Sequence, residues 1–462
     1  MAISIARYIK NSVTAWQATT HIAPLAAFRV IFGLCMVFST TRFMVLGWIE
    51  DHYITPKLHF KYFGFEFIEV ASPAALYAIH IALLLASILV TLGLFYRVAA
   101  WVQFLLFTYT ELIDLTYYLN HYYYVSLACL LLAVLPAHRY FSLDILRKPS
   151  LKTTYVPAWC IYVIMLQTAI VYTYAGLAKI NSDWLLHALP LKIWLPASYD
   201  IPVLGPLFAW KYTPYIFSWV GMLYDCTIVI FLLYKPTRVW AYAAVVFFHA
   251  VTGILFQIGV FPLVMIGGTL IFFSAQWHLR WMGAITRLFK TPEKTERNVT
   301  FAPSFLHKKL LLPALCVYFA FQLLFPWRYV LYPGNMFWTE EGYRFGWRVM
   351  LMEKAGTATF FVKDTKTGKE GEVFNSFFLC DHQEKQMAMQ PDMILQYAKF
   401  LAGYYEKEGV YQPQVRAEVY VTLNSRKSQL LIDPTVDLSK VKDSWGHKEW
   451  ILPFDERLAE TK

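Results

Sequence analysis

Long apolar runs recur through the first 326 residues and leave this chain few ways to fold. About nine of them are predicted as membrane spans, because most reach the roughly 17–25 residues that a helix needs to cross a bilayer. Hydrophobic residues occupy 58% of the 462 positions, whereas a water-soluble domain is nearer half apolar. The sequence therefore predicts a polytopic α-helical membrane bundle. The predicted spans lie near 23–45, 74–96, 98–116, 121–137, 156–178, 213–234, 239–257, 258–276 and 308–326.

Basic residues are distributed unevenly among the loops between these spans. Alternate loops, beginning with the N-terminal segment, carry about 16 lysines and arginines, and the opposite set carries about six. Because basic loops stay in the cytoplasm, we expect a cytoplasmic N-terminus and a non-cytoplasmic C-terminal region, in a bacterial inner membrane or an endoplasmic reticulum. This topology in a lipid bilayer accounts for the formal charge of +10 without nucleic acid as a partner.

A different kind of chain begins at about residue 327. Residues 357–362 mix apolar and polar side chains, and residues 416–423 alternate them as a half-buried strand does. Residues 391–405 have the spacing of an amphipathic helix. We therefore predict a transmembrane domain over residues 1–326 and a soluble, β-rich α+β domain over residues 327–462, which is long enough to bury its own core.

Lys179 stands at the end of an apolar run, with no acidic residue in the preceding turn. Burial at the edge of hydrocarbon disfavours an ammonium and favours the neutral amine, which is a base. Taken alone, such a lysine is better explained by snorkelling, in which it only anchors the helix end. His121, at the start of another predicted span, falls on the same side of the membrane, and the pair favours a functional site.

Other polar residues map to this same outer half of the predicted bundle. They are His80, Asp114, Asn120 and His249. Ionisable groups within spans are rare and usually functional, although each one alone also fits a packing or loop role. Arg29 and Asp225 fall on the inner side of the midplane, and a structural pairing of the two is the alternative to a functional role. No grouping has the spacing of a zinc site, so no metal is predicted.

Several motifs, in the same order along the chain, resemble those of the vitamin K-dependent γ-glutamyl carboxylase family in its shorter bacterial form. Residues 114–121 resemble its Asp…Asn-His motif, and residues 174–184 resemble its catalytic-lysine motif. Residues 248–261 resemble a later histidine motif, and residues 338–347 resemble the stretch assigned to the substrate glutamate. One departure is Met352, which replaces a histidine expected at this position.

The resemblance implies an enzyme that converts peptidyl glutamate to γ-carboxyglutamate with CO2 and O2, while vitamin K hydroquinone becomes its epoxide. The neutral amine of Lys179 would remove a phenolic proton, and oxygenation of the hydroquinone would then supply the base that takes the glutamyl proton. The implied catalytic residues are Lys179 and His121, the cofactor-binding residues are Asn120, Asp114 and His249, and the substrate-binding residues are Trp338, Tyr343 and Trp347.

Two other functions stay open at this point. One is a quinol-binding epoxidase that carboxylates no peptide, and fixation of CO2 into a Glu-containing peptide distinguishes it from the carboxylase. The other is a transporter, which predicts inverted repeats with broken helices in corresponding halves. No such pairing is apparent in the sequence, and its polar residues lie mostly in one leaflet.

A cysteine introduced at Lys366, in the predicted soluble domain, tests the topology. Because of the charge asymmetry, we expect a membrane-impermeant thiol reagent to label Lys366→Cys from the non-cytoplasmic side. A control cysteine at Lys235, in a loop predicted to face the cytoplasm, should react only after the membrane is opened. Labelling of Lys366→Cys from the cytoplasmic side alone would contradict the predicted orientation.

Overall fold

The structure is a computed structural model that describes residues 16–202, 205–256, 258–288, 299–305 and 307–456. Its first part is a bundle of apolar helices, and its last part is a small antiparallel sheet with helices packed against it. Within the described ranges, six helices are long and apolar enough to cross a membrane, and one bent pair would make a seventh. This composition is that of a multi-pass membrane protein.

Twelve α-helices longer than four residues, within the described ranges, are labelled here in chain order. They are α1 Ala23–Val45, α2 Pro73–Leu92, α3 Tyr96–Leu112, α4 Asn120–Val134, α5 Trp159–Ala178, α6 Thr213–Leu233, α7 Arg238–Leu255, α8 Phe261–Gly268, α9 Ala275–Leu288, α10 Leu312–Leu324, α11 Asp381–Met387 and α12 Pro391–Lys407. Four-residue helical turns occur at Asp144–Arg147, Ser182–Leu185, Leu191–Trp194, Gly205–Phe208 and Met336–Thr339. The strands are β1 Thr19–His21, β2 Tyr155–Pro157, β3 Lys354–Lys363, β4 Glu370–Val373, β5 Gln414–Leu423 and β6 Gln429–Leu430.

The predicted count of nine spans is not confirmed, although all nine predicted runs are largely helical. Helices α3 and α4 have 17 and 15 residues, which is short for a helix that crosses a bilayer. The eighth run is broken near its end, since the helix axes of Phe261–Phe272 and Ala275–Leu288 are bent by 116° relative to each other. The second arm of this pair carries Arg280 and Arg287 among tryptophans, a composition typical of a helix that lies along a membrane surface.

Arg29 of α1 is fully buried and holds one end of the bundle together. Its guanidinium donates to the carbonyl oxygens of Ala137 and Tyr140 at 3.0 and 3.3 Å, and also to that of Phe141. A buried cation is stable here because these carbonyls replace its hydration. The alternative of a structural pairing of Arg29 with Asp225 is therefore wrong, since Asp225 has a different partner, described below.

The C-terminal part contains a four-stranded sheet in the order β4-β3-β5-β6. Strands β3 and β5 pair along their whole length, with Phe360 opposite Ala417. Helix α12 packs against these strands, and its Ile394, Tyr397 and Leu401 are completely buried. The strands and the amphipathic helix predicted for this region are confirmed to within a few residues.

A charged contact joins the sheet region to the loop that follows α5. Asp183 accepts hydrogen bonds of 2.7 Å from Asn424 Nδ2 and from Arg426, and its other oxygen also accepts from Arg426. Burial alone would raise the pKa of Asp183, but the hydrogen bonds from Arg426 and Asn424 outweigh it and hold the pKa below its ordinary value of 3.8. The ionised carboxylate therefore stabilises the contact between the two parts.

Asp183→Asn removes this charge and keeps the size of the side chain. Because the pKa is lowered in the folded state, the stabilisation is present above the ordinary aspartate pKa and is lost as the pH falls through the folded value. We expect the melting temperature at about pH 7 to fall by about 2–4 °C, and the difference to shrink progressively as the pH falls below the ordinary aspartate pKa. Asp200→Asn, in an exposed part of the same loop, is the control. An unchanged difference at acidic pH would contradict this account.

Candidate functional site

An apolar cavity lies where helices α4 to α8 meet a loop of the C-terminal part. It encloses about 900 Å³, including its open mouth. Four acidic or basic side chains reach it among apolar and aromatic neighbours, namely Lys179, Asp225, His121 and His249. A cavity with a few polar groups in an apolar wall is the usual form of a small-molecule site. The three sequence candidates Lys179, His121 and His249 are thus brought together.

Lys179 and Asp225 form a buried ion pair in this cavity. The Lys179 Nζ lies 2.8 Å from Asp225 Oδ2 and also donates to the Ala175 carbonyl oxygen at 3.2 Å. The two side chains are only 8% and 6% exposed. The indole ring of Trp184 lies 5.3 Å from the same Nζ, close enough for a cation–π contact. The sequence shows no acidic residue in the turn before Lys179, and the tertiary structure supplies one in Asp225.

Gly176 allows the two helices that carry this pair to touch. A Cβ at Gly176 would lie 2.6 Å from Cys226 Sγ and 2.7 Å from the Cys226 backbone nitrogen, so α5 and α6 meet backbone to backbone. The expected location of Asp225, away from Lys179, is wrong for a geometric reason. The helical turns between α5 and α6 pack around the first half of α6, so α6 begins well beyond the end of α5.

Tyr172 is a cavity residue that the sequence analysis missed. Its hydroxyl lies 2.8 Å from His249 Nε2, and the Tyr224 hydroxyl lies 3.5 Å from the Tyr172 hydroxyl. Tyr172 stands seven residues before Lys179 on the same helix, which places both on one face. That two-turn spacing was the signal available in the sequence.

His121 occupies the first turn of α4 and is 8% exposed. Its ring stacks on that of Phe261 with centroids 5.0 Å apart. Among the residues that the structure describes, its ring nitrogens form no hydrogen bond. The imidazole can therefore exchange a proton or a hydrogen bond with a bound ligand.

Asn120 is turned toward the C-terminal part instead of lining the cavity. Its Nδ2 donates to the Arg348 carbonyl oxygen at 2.8 Å, and its Oδ1 accepts from the Tyr118 hydroxyl at 3.0 Å. The Tyr343 hydroxyl is 3.4 Å from the same Arg348 oxygen. Met350, two residues further on, lines the cavity. Asn120 thus fixes the loop that covers the cavity.

That loop is held in an uncommon backbone conformation. Phe345, Trp347 and Met350 have φ values of 57°, 57° and 52°, in the left-handed region that non-glycine residues rarely adopt. Each such residue costs on the order of 1–3 kcal/mol and persists only where the surroundings fix it. The ring of Tyr123 supplies part of this support by stacking on Trp347 at 4.8 Å.

The remaining predicted residues lie outside the cavity lining. Asp114 accepts from Gln383 Nε2 and from the Thr116 backbone N–H, both at 2.9 Å, and so connects the bundle to α11. Trp338 and Trp347 are completely buried, and the Trp338 indole donates to a backbone carbonyl at 2.8 Å. Tyr343 is half-buried and lines a separate open groove on the C-terminal part.

Two protein-family models match this chain. The model of the HTTM domain matches residues 17–277, which is more than half of the chain. The model of the vitamin K-dependent gamma-carboxylase lumenal domain matches residues 307–457. The chain belongs to the vitamin K-dependent γ-carboxylase family. Family membership supports a vitamin K-dependent carboxylase function in general terms, and the comparison with solved structures finds no match.

Gly176 provides a test of the cavity geometry in this γ-carboxylase family member. Gly176→Ala should push α5 away from α6, because the added methyl meets Cys226 well inside van der Waals distance. We expect a loss of about 1–3 kcal/mol in stability, measured as a lower melting temperature in detergent. Gly283→Ala is the matched control, since a methyl there meets nothing within 4 Å. Equal melting temperatures for the two variants would contradict the close approach.

Proposed function

We propose that this protein converts glutamate residues of a peptide or protein to γ-carboxyglutamate with CO2 and O2, coupled to epoxidation of vitamin K hydroquinone. The observation that carries the proposal is the buried Lys179–Asp225 pair in an apolar cavity that also receives His121 and His249. An apolar wall with few polar groups suits a flat lipid ring, and the bilayer is the natural reservoir of such a ligand.

The residues of the cavity fit a hydroquinone. Trp194, Phe256 and Phe261 provide aromatic surfaces for the ring, and the imidazoles of His121 and His249 provide hydrogen bonds for its oxygens. In this proposal Asn120 and Asp114 act indirectly on the ligand, because their polar atoms are engaged within the protein.

Lys179 handles the proton in the proposed mechanism. The Lys179 ammonium passes one proton to the Asp225 carboxylate, and its Nζ then receives the phenolic proton, so that the pair takes up one further proton as a unit. A hydroquinone held by these residues would, with O2, supply the base for the glutamyl C–H, which is too weak an acid for any side chain. The apolar wall excludes water, which protects that base from being quenched.

The peptide substrate reaches the cavity from the C-terminal part in this proposal. The open groove there is lined by Tyr343, Met352 and Lys385, and the lysine offers a cation to a glutamate side chain. Buried Trp338 and Trp347 hold the adjacent loop and act on the substrate through it. We place the transmembrane part at residues 1–326, and the soluble part at residues 327–462 on the non-cytoplasmic side, with the N-terminus in the cytoplasm.

A second candidate function uses the same cavity without the groove. It is epoxidation of a quinol with no carboxylation of a peptide. Met352 favours this candidate, because the groove has a thioether where the family resemblance leads one to expect a histidine. Both candidates share Lys179 as the group that accepts the first proton.

The deciding assay measures labelled CO2 in a Glu-containing peptide together with epoxide formation. We expect Lys179→Ala to lower both activities by at least about 10²-fold, because one base starts both. Asp225→Asn should lower both as well, since the amide cannot take up the proton. The control is Lys192→Ala, which changes an exposed lysine in the segment between α5 and α6.

Two results of this assay would change the assignment. Epoxide formation at the wild-type rate in Lys179→Ala would remove Lys179 from the role of base. Epoxide formation by the wild type, with no label entering the Glu-containing peptide that is supplied, would favour the second candidate function.

A further inference from the structure

A second chamber lies behind His121, and the proposed reaction has so far made no use of it. It measures about 730 Å³, including its open side, and lies between helices α1 to α4 and α8. His121 and Phe261 line this chamber as well as the cavity of Lys179. Their stacked rings therefore separate the two spaces.

Glu111 of α3 faces this second chamber. Within the described part of the chain, its carboxyl has neither a hydrogen bond nor an ion pair. The guanidinium of Arg42, which lines the same chamber, stacks on Trp48 at 4.5 Å. A carboxyl without a protein partner in such a wall is costly, so its presence needs a reason. The chamber has room for several water molecules at about 30 Å³ each, and the hydroxyls of Ser39 and Thr40 offer them further partners.

The proposed reaction must dispose of one proton in each carboxylation. Epoxidation alone is balanced, because hydroquinone and O2 give epoxide and water with no proton left over. Carboxylation breaks the glutamyl C–H bond and forms a bond to the carbon of CO2, which yields a carboxylate and one proton. In the proposed function this proton stays on the Lys179–Asp225 pair, inside a cavity that excludes water. It has to leave before the next cycle.

We propose that the second chamber is the exit for this proton, with His121 as the relay and Glu111 as the acceptor. An imidazole can take a proton at one nitrogen and release one from the other, and His121 is a wall of both spaces. Glu111 then passes the proton to water at the open side of the chamber. This inference rests on the proposed function and assigns Glu111 a role in carboxylation only.

Glu111→Gln tests the exit, because it keeps the size of the side chain and removes the ionisable group. We expect epoxidation without peptide to stay within about twofold of the wild type, and carboxylation to fall by about tenfold or more. Glu111→Asp should restore part of the carboxylation. The matched control is Glu69→Gln, whose side chain is 77% exposed and which should leave both activities unchanged.

A second variant tests the chamber independently of its carboxyl. Thr40 is 4% exposed and lines the chamber, so Thr40→Met should fill part of it and produce the same selective loss of carboxylation. Equal loss of both activities in Glu111→Gln, with a lower melting temperature, would overturn the proposal in favour of a structural role. Wild-type carboxylation in Glu111→Gln would also overturn it. A wild type that fixes no CO2 would refute the proposed function and the exit together.

Discussion

The Lys179–Asp225 ion pair is the interaction on which the cavity depends. Its two charges are almost completely removed from solvent, and loss of either partner would leave an uncompensated charge at a cost of about 3–5 kcal/mol. The pair forms because Gly176 lets two helices approach until their backbones touch. The carboxylate also gives the lysine a basic partner, so the two groups exchange a proton as a unit. A hydrogen-bonded pair of this kind combines structural stability with acid–base chemistry in one place.

The C-terminal part completes the cavity by contributing a loop to its wall. Asn120 and Tyr123 of the bundle hold that loop through a carbonyl and a ring stack, in a backbone conformation that is unfavourable by itself. Asp183, near the end of the lysine motif, makes a second connection through Arg426. In the proposed function, a peptide bound to the C-terminal part would be coupled to the cavity, since both connections adjoin residues that line it. The family's two matched regions meet at this point.

The proposed chemistry places different demands on the two spaces that share His121. The cavity of Lys179 has to exclude water, because a strong base and a carbanion are quenched by it. The chamber of Glu111 has to contain water, because a proton can leave a membrane protein only along polar groups. The wall between the two spaces consists of the His121 imidazole and the Phe261 ring. The stacked rings keep water out of the cavity of Lys179, and the imidazole nitrogens can still exchange a proton across the wall. This separation of a dry cavity from a water-containing chamber explains why the half-buried carboxyl of Glu111 lies beside an otherwise apolar site.

The sequence by itself determined the local features of this protein. Hydropathy and periodicity gave the helical runs and the strands of the C-terminal sheet, and the motif around Lys179 indicated the family. The partners of those residues were decided by the tertiary structure, because Asp225 is 46 positions from Lys179 and Arg348 is 228 positions from Asn120. Counting residues along each predicted span placed Asp225 on the inner side of the membrane midplane and Lys179 on the outer side. In the structure the turns between α5 and α6 pack around α6, and the resulting offset of the two helices brings both side chains to the same depth. Periodicity is a property of neighbouring residues, whereas contact between distant ones depends on how helices of unequal length are offset along each other.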